Sequence, residues 1–440
     1  LNDPLSITAA AREAGSRTAL VVGHRRFTFA ELALRAAAQR AHLAPDPRRP
    51  FALVAGNTLD TAITLYALLE ARVPVLMLHP KLTAAERQVE IEATARAADT
   101  LPADAAAILY TSGTAGRARG AVLTRAALIA SARASAGNLG WRDDDCWLAA
   151  MPLARVGGLS ILTRSLIARR AVALAPGFDA ATLPAAIEQK RVTILSLVPT
   201  MLALLLDAHP HWRPPPHLRA ILVGGAAASP RLLARAAERR LPIVLTYGCT
   251  ETCSQVVATP YEHRHEAARH GAGRVLTGAE LRIRDGRIEV RGPMRMAGYL
   301  GEPPLDPQAW FDTGDLGELD AGGHLHVHAR AGDLIITGGE NVYPAEVERE
   351  LESCPGIAAA AVFGLPAETW GQTVAAALVA DGEPPADAAI EAFICARLAR
   401  HKHPRSLCFV SSLPLTAGGK LDRAALPALA PALRPLPARR

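Results

Sequence analysis

Apolar and polar positions switch between two periods along the first two-thirds of the chain, with short apolar runs alternating with stretches of helical spacing. TALVVGHRRFTF predicts a hairpin turning near Gly23. Thr28 and Glu31 then have the spacing of a capping box, which predicts a helix over FAELALRAAAQRA; Thr83 and Glu86 repeat that signal before a later helix. FALVAG, VPVLML, AAILYTSG, LRAILVGGA and PIVLTYG predict strands, the fourth followed by Ser229 and Pro230 as cap and first-turn proline of another helix. Such β-α-β units build parallel sheets, and ligands collect beyond the carboxyl ends of their strands. Three polar, glycine-containing loops fall there, at residues 111–120, 224–229 and 247–254.

From about residue 281 the pattern changes. LRIRDGRIEVRG predicts a hairpin around Asp285-Gly286, and HLHVHAR a short strand. A compact α+β pattern follows, helix PAEVERELES, strands AAAAVFG and TVAAALVA, helix AAIEAFICARLAR and strand SLCFVSS, so a domain boundary is expected near Gly332. The proline-rich end is expected to be loosely held.

Composition narrows the function. The chain has 440 residues, enough for two or three domains, and half of them are hydrophobic. The net charge of +6 comes from arginines mixed with acids rather than gathered in runs, and aromatics are only 4%, which argues against nucleic acid as a partner. Six cysteines without a CxxC pair argue against a disulfide framework or a structural zinc. His263, His265 and His270 lie in the loop-like YEHRHEAARH and are read as a solvated polar segment. Neither a signal-peptide pattern nor a membrane-length apolar run occurs, so a cytoplasmic protein is expected, and a homo-oligomer is compatible with the sequence.

The loop YTSGTAGRARG follows a strand and carries glycines, hydroxyls and arginines, which suits wrapping an anion, although it lacks the GK[ST] ending of a Walker loop. YGCTE sets Tyr247, able to stack on a base, beside Thr250 and Glu251, able to meet phosphate and Mg2+. FDTGD offers Asp315 to a ribose diol, RAGDLIITGGENVYPAEVE begins with Arg330 and holds a Gly-Gly turn, and PLTAGGKLDR sets Lys420 on a glycine-rich loop. Only four of the 48 basic residues are lysine, so a lysine at that place stands out.

In this order and spacing, the five stretches resemble the adenylate-forming enzymes: acyl- and aryl-CoA ligases, luciferases and nonribosomal peptide adenylation domains. The resemblance implies an α/β fold. A large N-terminal domain over 1–331 would hold β-sheets with flanking helices, parallel β-α-β units and a small β-barrel-like subdomain. A small mobile α+β domain over 332–440 would carry the catalytic lysine. It implies that Thr111, Ser112, Gly113, Thr114, Gly116 and Arg119 hold ATP phosphates, and that Gly225 and Tyr247 flank the adenine. Thr250 and Glu251 would serve the α-phosphate and Mg2+, Asp315 and Arg330 the ribose, and Lys420 the transition state. Gly332 would be the hinge, Gly338 and Gly339 would line the path of coenzyme A, and Arg155, Gly157 and Gly158 would stand at the acyl pocket. Arg119 replaces a customary lysine and Arg155 a customary histidine. VGGLSILTRSLI and TETCSQVVATP further resemble ligases of an aromatic dicarboxylate activated on its succinyl carboxylate. Open alternatives are another aryl- or fatty-acyl-CoA ligase, a stand-alone domain loading a carrier protein, and a non-catalytic nucleotide-binding protein.

Overall fold

A computed structural model describes residues 3–111, 119–416 and 421–436. The chain forms two compact units: Leu1–Gly225, Ala236–Leu281 and Val290–Phe311 make the first, and Ala226–Arg235, Arg282–Glu289 and Asp312–Arg440 the second.

The β-α-β segments of the first unit sort into two sheets. In the nine-stranded sheet, Ile243–Cys249, Ala220–Val223, Ile194–Leu197, Cys146–Ala149, Ala171–Leu174 and Thr18–Val22 run parallel. Antiparallel strands close both edges, Arg25–Thr28 at one and Ser254–Ala258 with Arg274–Val275 at the other. The five-stranded sheet runs Phe51–Val54, Val75–Leu78, Ala105–Thr111, Arg119–Thr124, Gly298–Tyr299, the first three parallel and the last two joined antiparallel. Near-continuous apolar strands such as AILV and VLML are buried along their whole length, as parallel strands covered on both faces must be.

Local signals placed the helix starts. Both capping boxes form: Thr28 Oγ1 accepts from the Glu31 amide at 3.2 Å, and Thr83 Oγ1 from the Glu86 amide at 3.2 Å. Ser229 Oγ accepts from the Leu232 amide at 3.2 Å at the start of the Pro230–Glu238 helix.

In the second unit, Ile357–Ala367, Gly371–Ala380, Ile335–Thr337, Glu340–Val342, Ser406–Phe409 and Arg434–Pro435 form one sheet. The helices Pro344–Glu352 and Asp387–Cys395 bury Val347, Leu351, Ile390 and Ile394 in a core with Ile357, Val374 and Leu378. Glu280–Arg284, Arg287–Arg291, Phe311–Leu319 and Leu325–Arg330 form a separate four-stranded sheet. Its first hairpin turns at Asp285 (φ 50°) and Gly286 (φ 75°), the left-handed pair that a two-residue turn requires.

Candidate active site

The expected phosphate-binding loop leaves the strand ending at Thr111 and re-enters at Arg119, the two residues facing each other across the ladder. Ser112, Gly113, Thr114 and Gly116 lie outside the described residues, as does Lys420. On either side of Lys420 the chain is tied down within the second unit. Leu415 bridges Leu421, and Arg423 reaches Glu348 at 2.9 Å and Asp333 at 3.2 Å. Burial lowers the pKa of Arg423, but these carboxylates more than offset it and raise it overall.

The turn bearing Thr250 and Glu251 is built by contacts from the residues on either side of it. Gly248 sits at a register shift where an added Cβ would lie 1.9 Å from the carbonyl oxygen of Ser254. A 3-10 turn spans Thr250–Thr252, and Cys253 (φ 51°) and Ser254 (φ 92°) then reverse the chain through left-handed backbone. Thr252 Oγ1 accepts from the Cys249 amide at 3.0 Å, pinning the turn shut. Gly225 adopts φ 82°, and at Gly224 a Cβ would meet Thr246 Oγ1 at 2.2 Å, so the backbone after Val223 passes close to the strand that carries Tyr247.

Tyr299 was not legible as a site residue, yet it stands at the centre of this group. Its hydroxyl donates to Glu251 Oε1 at 2.8 Å, and the Arg119 guanidinium lies 3.4 Å from its ring centroid. Arg119 in turn grips Glu302 through both Nε and Nη2, at 2.7 Å for the shorter contacts. Burial, and after it the Glu251 carboxylate, push the phenol well above its ordinary pKa, so at neutral pH it is a donor.

Arg155 is positioned by Asn57. The Asn57 amide donates to the carbonyls of Ala149 and Met151 and accepts from the Leu153 amide, fixing the loop ahead of Arg155. Gly158 is needed there, since a Cβ would fall 2.2 Å from the carbonyl oxygen of Pro152, whereas Gly157 faces only the flexible end of Met151. Arg155 Nη1 donates to the carbonyl of Tyr110 at 3.1 Å, next to the start of the phosphate loop. Burial lowers its pKa, and Glu90 opposes that; burial likewise raises the Glu90 carboxyl to about 7, with Arg155 opposing.

Arg164 is the second residue that the motifs did not single out. It is 2% exposed, and its hydrogen bonds go to neutral partners, Ser131 Oγ at 3.0 Å and Gln255 Oε1 at 3.4 Å. Its Nε is buried without a hydrogen-bond partner among the described residues. Burial drops its pKa to about 10. A buried cation without a carboxylate partner is costly. The only trace of Arg164 in the sequence is that it is the single charged residue of the helix Val156–Ala168.

In the second unit, Asp315 and Arg330 meet at 2.8 Å across paired strands, the carboxylate nearly buried. Gly338 (φ 59°) and Gly339 (φ 84°) form a two-residue hairpin turn, and a Cβ on Gly338 would strike the Trp370 ring at 2.7 Å, so both glycines have a backbone reason to be there. Gly332 lies in a 3-10 turn, Ala331–Asp333, outside the left-handed region and with open space where a Cβ would point. In YEHRHEAARH, His263, Glu266 and His270 converge, their ligand atoms within 4.8 Å of one another, with His263 and Glu266 exposed to solvent. Glu266 pairs with Arg269 at 3.4 Å.

These features are those of an ATP-consuming acid-activating enzyme. The chain belongs to the AMP-binding enzyme family, whose model matches residues 87–300, with the family's C-terminal domain over 346–420. Among curated relatives, the 2-succinylbenzoate–CoA ligase of Bacillus mycoides (strain KBAB4) is 40% identical over 334 residues, covering 73% of this chain and 69% of that one. The o-succinylbenzoate CoA synthetase of Bacillus subtilis, in complex with the acyl-adenylate intermediate OSB-AMP, superimposes with a TM-score of 0.87 at 33% identity, covering 97% of this chain and 98% of that one. The same synthetase in complex with ATP and magnesium ion gives 0.86 at 32% identity, over 96% and 98%.

Proposed function

We propose that this protein is a 2-succinylbenzoate–CoA ligase. A carboxylate oxygen of the acid attacks the α-phosphorus of ATP, the bond to the β-phosphate oxygen breaks, and pyrophosphate leaves. The thiol of coenzyme A then attacks the acyl carbon, and AMP departs with the bonding electron pair. The observation that carries the substrate is Arg164: a buried guanidinium with neutral partners, lying in the first of the two stretches that resemble ligases of an aromatic dicarboxylate and hydrogen-bonded to Gln255 in the second. It supplies the countercharge for the carboxylate that does not react.

Thr250 and Glu251 present hard oxygen donors on a pinned turn, which suits Mg2+. When bound, the ion withdraws charge from the phosphate oxygens and orients them. Ser112, Gly113, Thr114 and Gly116, with Thr111, hold the phosphates; Gly225 and Tyr247 take the adenine, and Asp315, steadied by Arg330, takes the ribose. Lys420 meets the charge that develops at the α-phosphate. The domain over 332–440 then turns about Gly332, withdrawing Lys420 and admitting coenzyme A along Gly338 and Gly339. Gly157 and Gly158 keep the chain thin beside the acyl group, and Arg155 guards its entrance.

The test is a panel of acids assayed for pyrophosphate release, with and without coenzyme A. 2-Succinylbenzoate is expected to exceed benzoate, succinate and fatty acids in kcat/KM. Arg164→Leu is expected to raise KM for 2-succinylbenzoate by about tenfold or more while changing that for 4-phenylbutyrate little. Equal losses on both acids would reject the assignment of Arg164.

A further inference from the structure

We propose that Tyr299 is a positioning residue that ties the metal-binding carboxylate of Glu251 to the exit of the phosphate loop. The proposal rests on the reading of Glu251 as a Mg2+ ligand, and adds a strut that holds it.

The backbone around Tyr299 is fixed at several points. The Ala297 amide donates to the Val122 carbonyl at 2.9 Å and the Leu300 amide to the Gly120 carbonyl at 2.7 Å, zipping this segment along the strand that begins at Arg119. One residue further back, the Met296 amide donates to the carbonyl of Glu251 itself at 2.7 Å. Close approach at Gly120 permits the zip, because a Cβ there would already touch Leu300, Ile108 and Tyr110 at 3.2–3.3 Å. From this base the Tyr299 hydroxyl donates to Glu251 Oε1 at 2.8 Å, leaving Oε2 as the oxygen to meet a cation.

A face of the same ring carries Arg119. Arg119 is the first described residue after 112–118, and its guanidinium lies 3.4 Å from the ring centroid. An arginine so placed would ordinarily be drawn toward any phosphate nearby. Glu302, three residues beyond Tyr299 and bonded back to it through the Glu302 amide and the Tyr299 carbonyl at 3.0 Å, holds it instead in a forked ion pair. A planar guanidinium can grip a carboxylate edge-on while stacking on an aromatic face, which a lysine ammonium cannot do. Arginine at 119 is therefore a substitution with consequence. It makes Arg119, the Tyr299 ring and the Glu251 carboxylate one connected unit.

The experiment compares wild type, Tyr299→Phe, Glu302→Gln and Glu251→Gln by water-proton relaxation of Mn2+–ATP with the acid absent. Thioester formation from supplied acyl-adenylate and the thermal midpoint are measured alongside. Tyr299→Phe keeps the ring and removes only the donor; it is expected to weaken Mn2+–ATP binding about tenfold, as the loss of one hydrogen bond to a charged group should. Thioester formation and the thermal midpoint should stay at wild-type values. Glu302→Gln, which loosens Arg119 without touching the ring, is expected to give a smaller loss of about threefold in the same measurement. If Glu251→Gln weakens Mn2+–ATP binding while Tyr299→Phe and Glu302→Gln do not, the strut is overturned and the metal assignment survives. If Glu251→Gln binds Mn2+–ATP as wild type does, the metal assignment falls and takes the strut with it.

Discussion

At the scale of single residues, charge placement decides the chemistry. Joining a carboxylate to an α-phosphate concentrates negative charge, and removing one preorganised cation typically costs about 3–4 kcal/mol of barrier. Lys420→Ala should therefore lose acyl-adenylate formation by roughly two to three orders of magnitude, with thioester formation from supplied acyl-adenylate largely kept. Stopped-flow measurement of each half-reaction distinguishes this from a lysine that serves both, where the two rates would fall together. Lys420, Glu251 and Asp315 could be singled out as candidates because each belongs to a short motif. Tyr299 could not, since its partner Glu251 lies 48 positions away, and Arg164 could not, because an arginine on a helix looks alike whether it faces water or a core. Gly248 is a third case: the clash that demands glycine comes from Ser254 and Gln255, and only the bulge between the paired strands brings them near.

At the scale of elements, the parallel strands are held in register by a buried polar joint. Asp145, fully buried, accepts from Arg219 Nε at 2.8 Å and Nη2 at 2.6 Å, from Thr193 Oγ1 at 2.8 Å and from the Arg142 amide at 2.7 Å. It links the turn before Cys146–Ala149 to the threshold of Ala220–Val223. Breaking such a pair strands a charge, so Arg219→Met should destabilise the protein by about 3–5 kcal/mol, read as a lower urea midpoint. Asp145→Asn with Arg219→Met should recover part of that loss. Sequence pattern could give the strands and the capping boxes, which are settled within a few residues, but not this joint, whose partners are 74 positions apart.

A second element-scale prediction concerns pH. Glu352 ends the helix Pro344–Glu352, and burial raises its carboxyl to about 7, although a hydrogen bond from the Ala360 amide opposes this. The folded state thus binds a proton that the unfolded chain releases near its ordinary carboxylate value. Stability falls as pH rises from about 4.5 to about 7 and is flat above that. Glu352→Gln removes this slope. The variant should gain on wild type between pH 5 and pH 8 by at most about 3 kcal/mol, followed by urea unfolding at both pH values. A constant difference between the two proteins would show that the carboxyl ionises normally.

At the scale of the whole molecule, the ordered motifs made the family legible, and the distribution of strands over sheets was not. AAILYTSG and PIVLTYG look alike as apolar runs leading into polar loops, yet they end in different sheets, Ala105–Thr111 in the five-stranded one and Ile243–Cys249 in the nine-stranded one. Strand partnership depends on which crossover covers which face, and no local pattern encodes that. Among the described residues no helix is long and apolar enough to cross a membrane.

The central claim is that the acid is activated as an adenylate on ATP's α-phosphate. Its most direct test uses 2-succinylbenzoate labelled with 18O in the succinyl carboxylate, with ATP, Mg2+ and coenzyme A, and mass spectrometry of the nucleotide and phosphate products. The account predicts one labelled oxygen in AMP for each thioester formed, with unlabelled pyrophosphate. Label in orthophosphate with ADP as the nucleotide product, or thioester formed with unlabelled AMP, would contradict it.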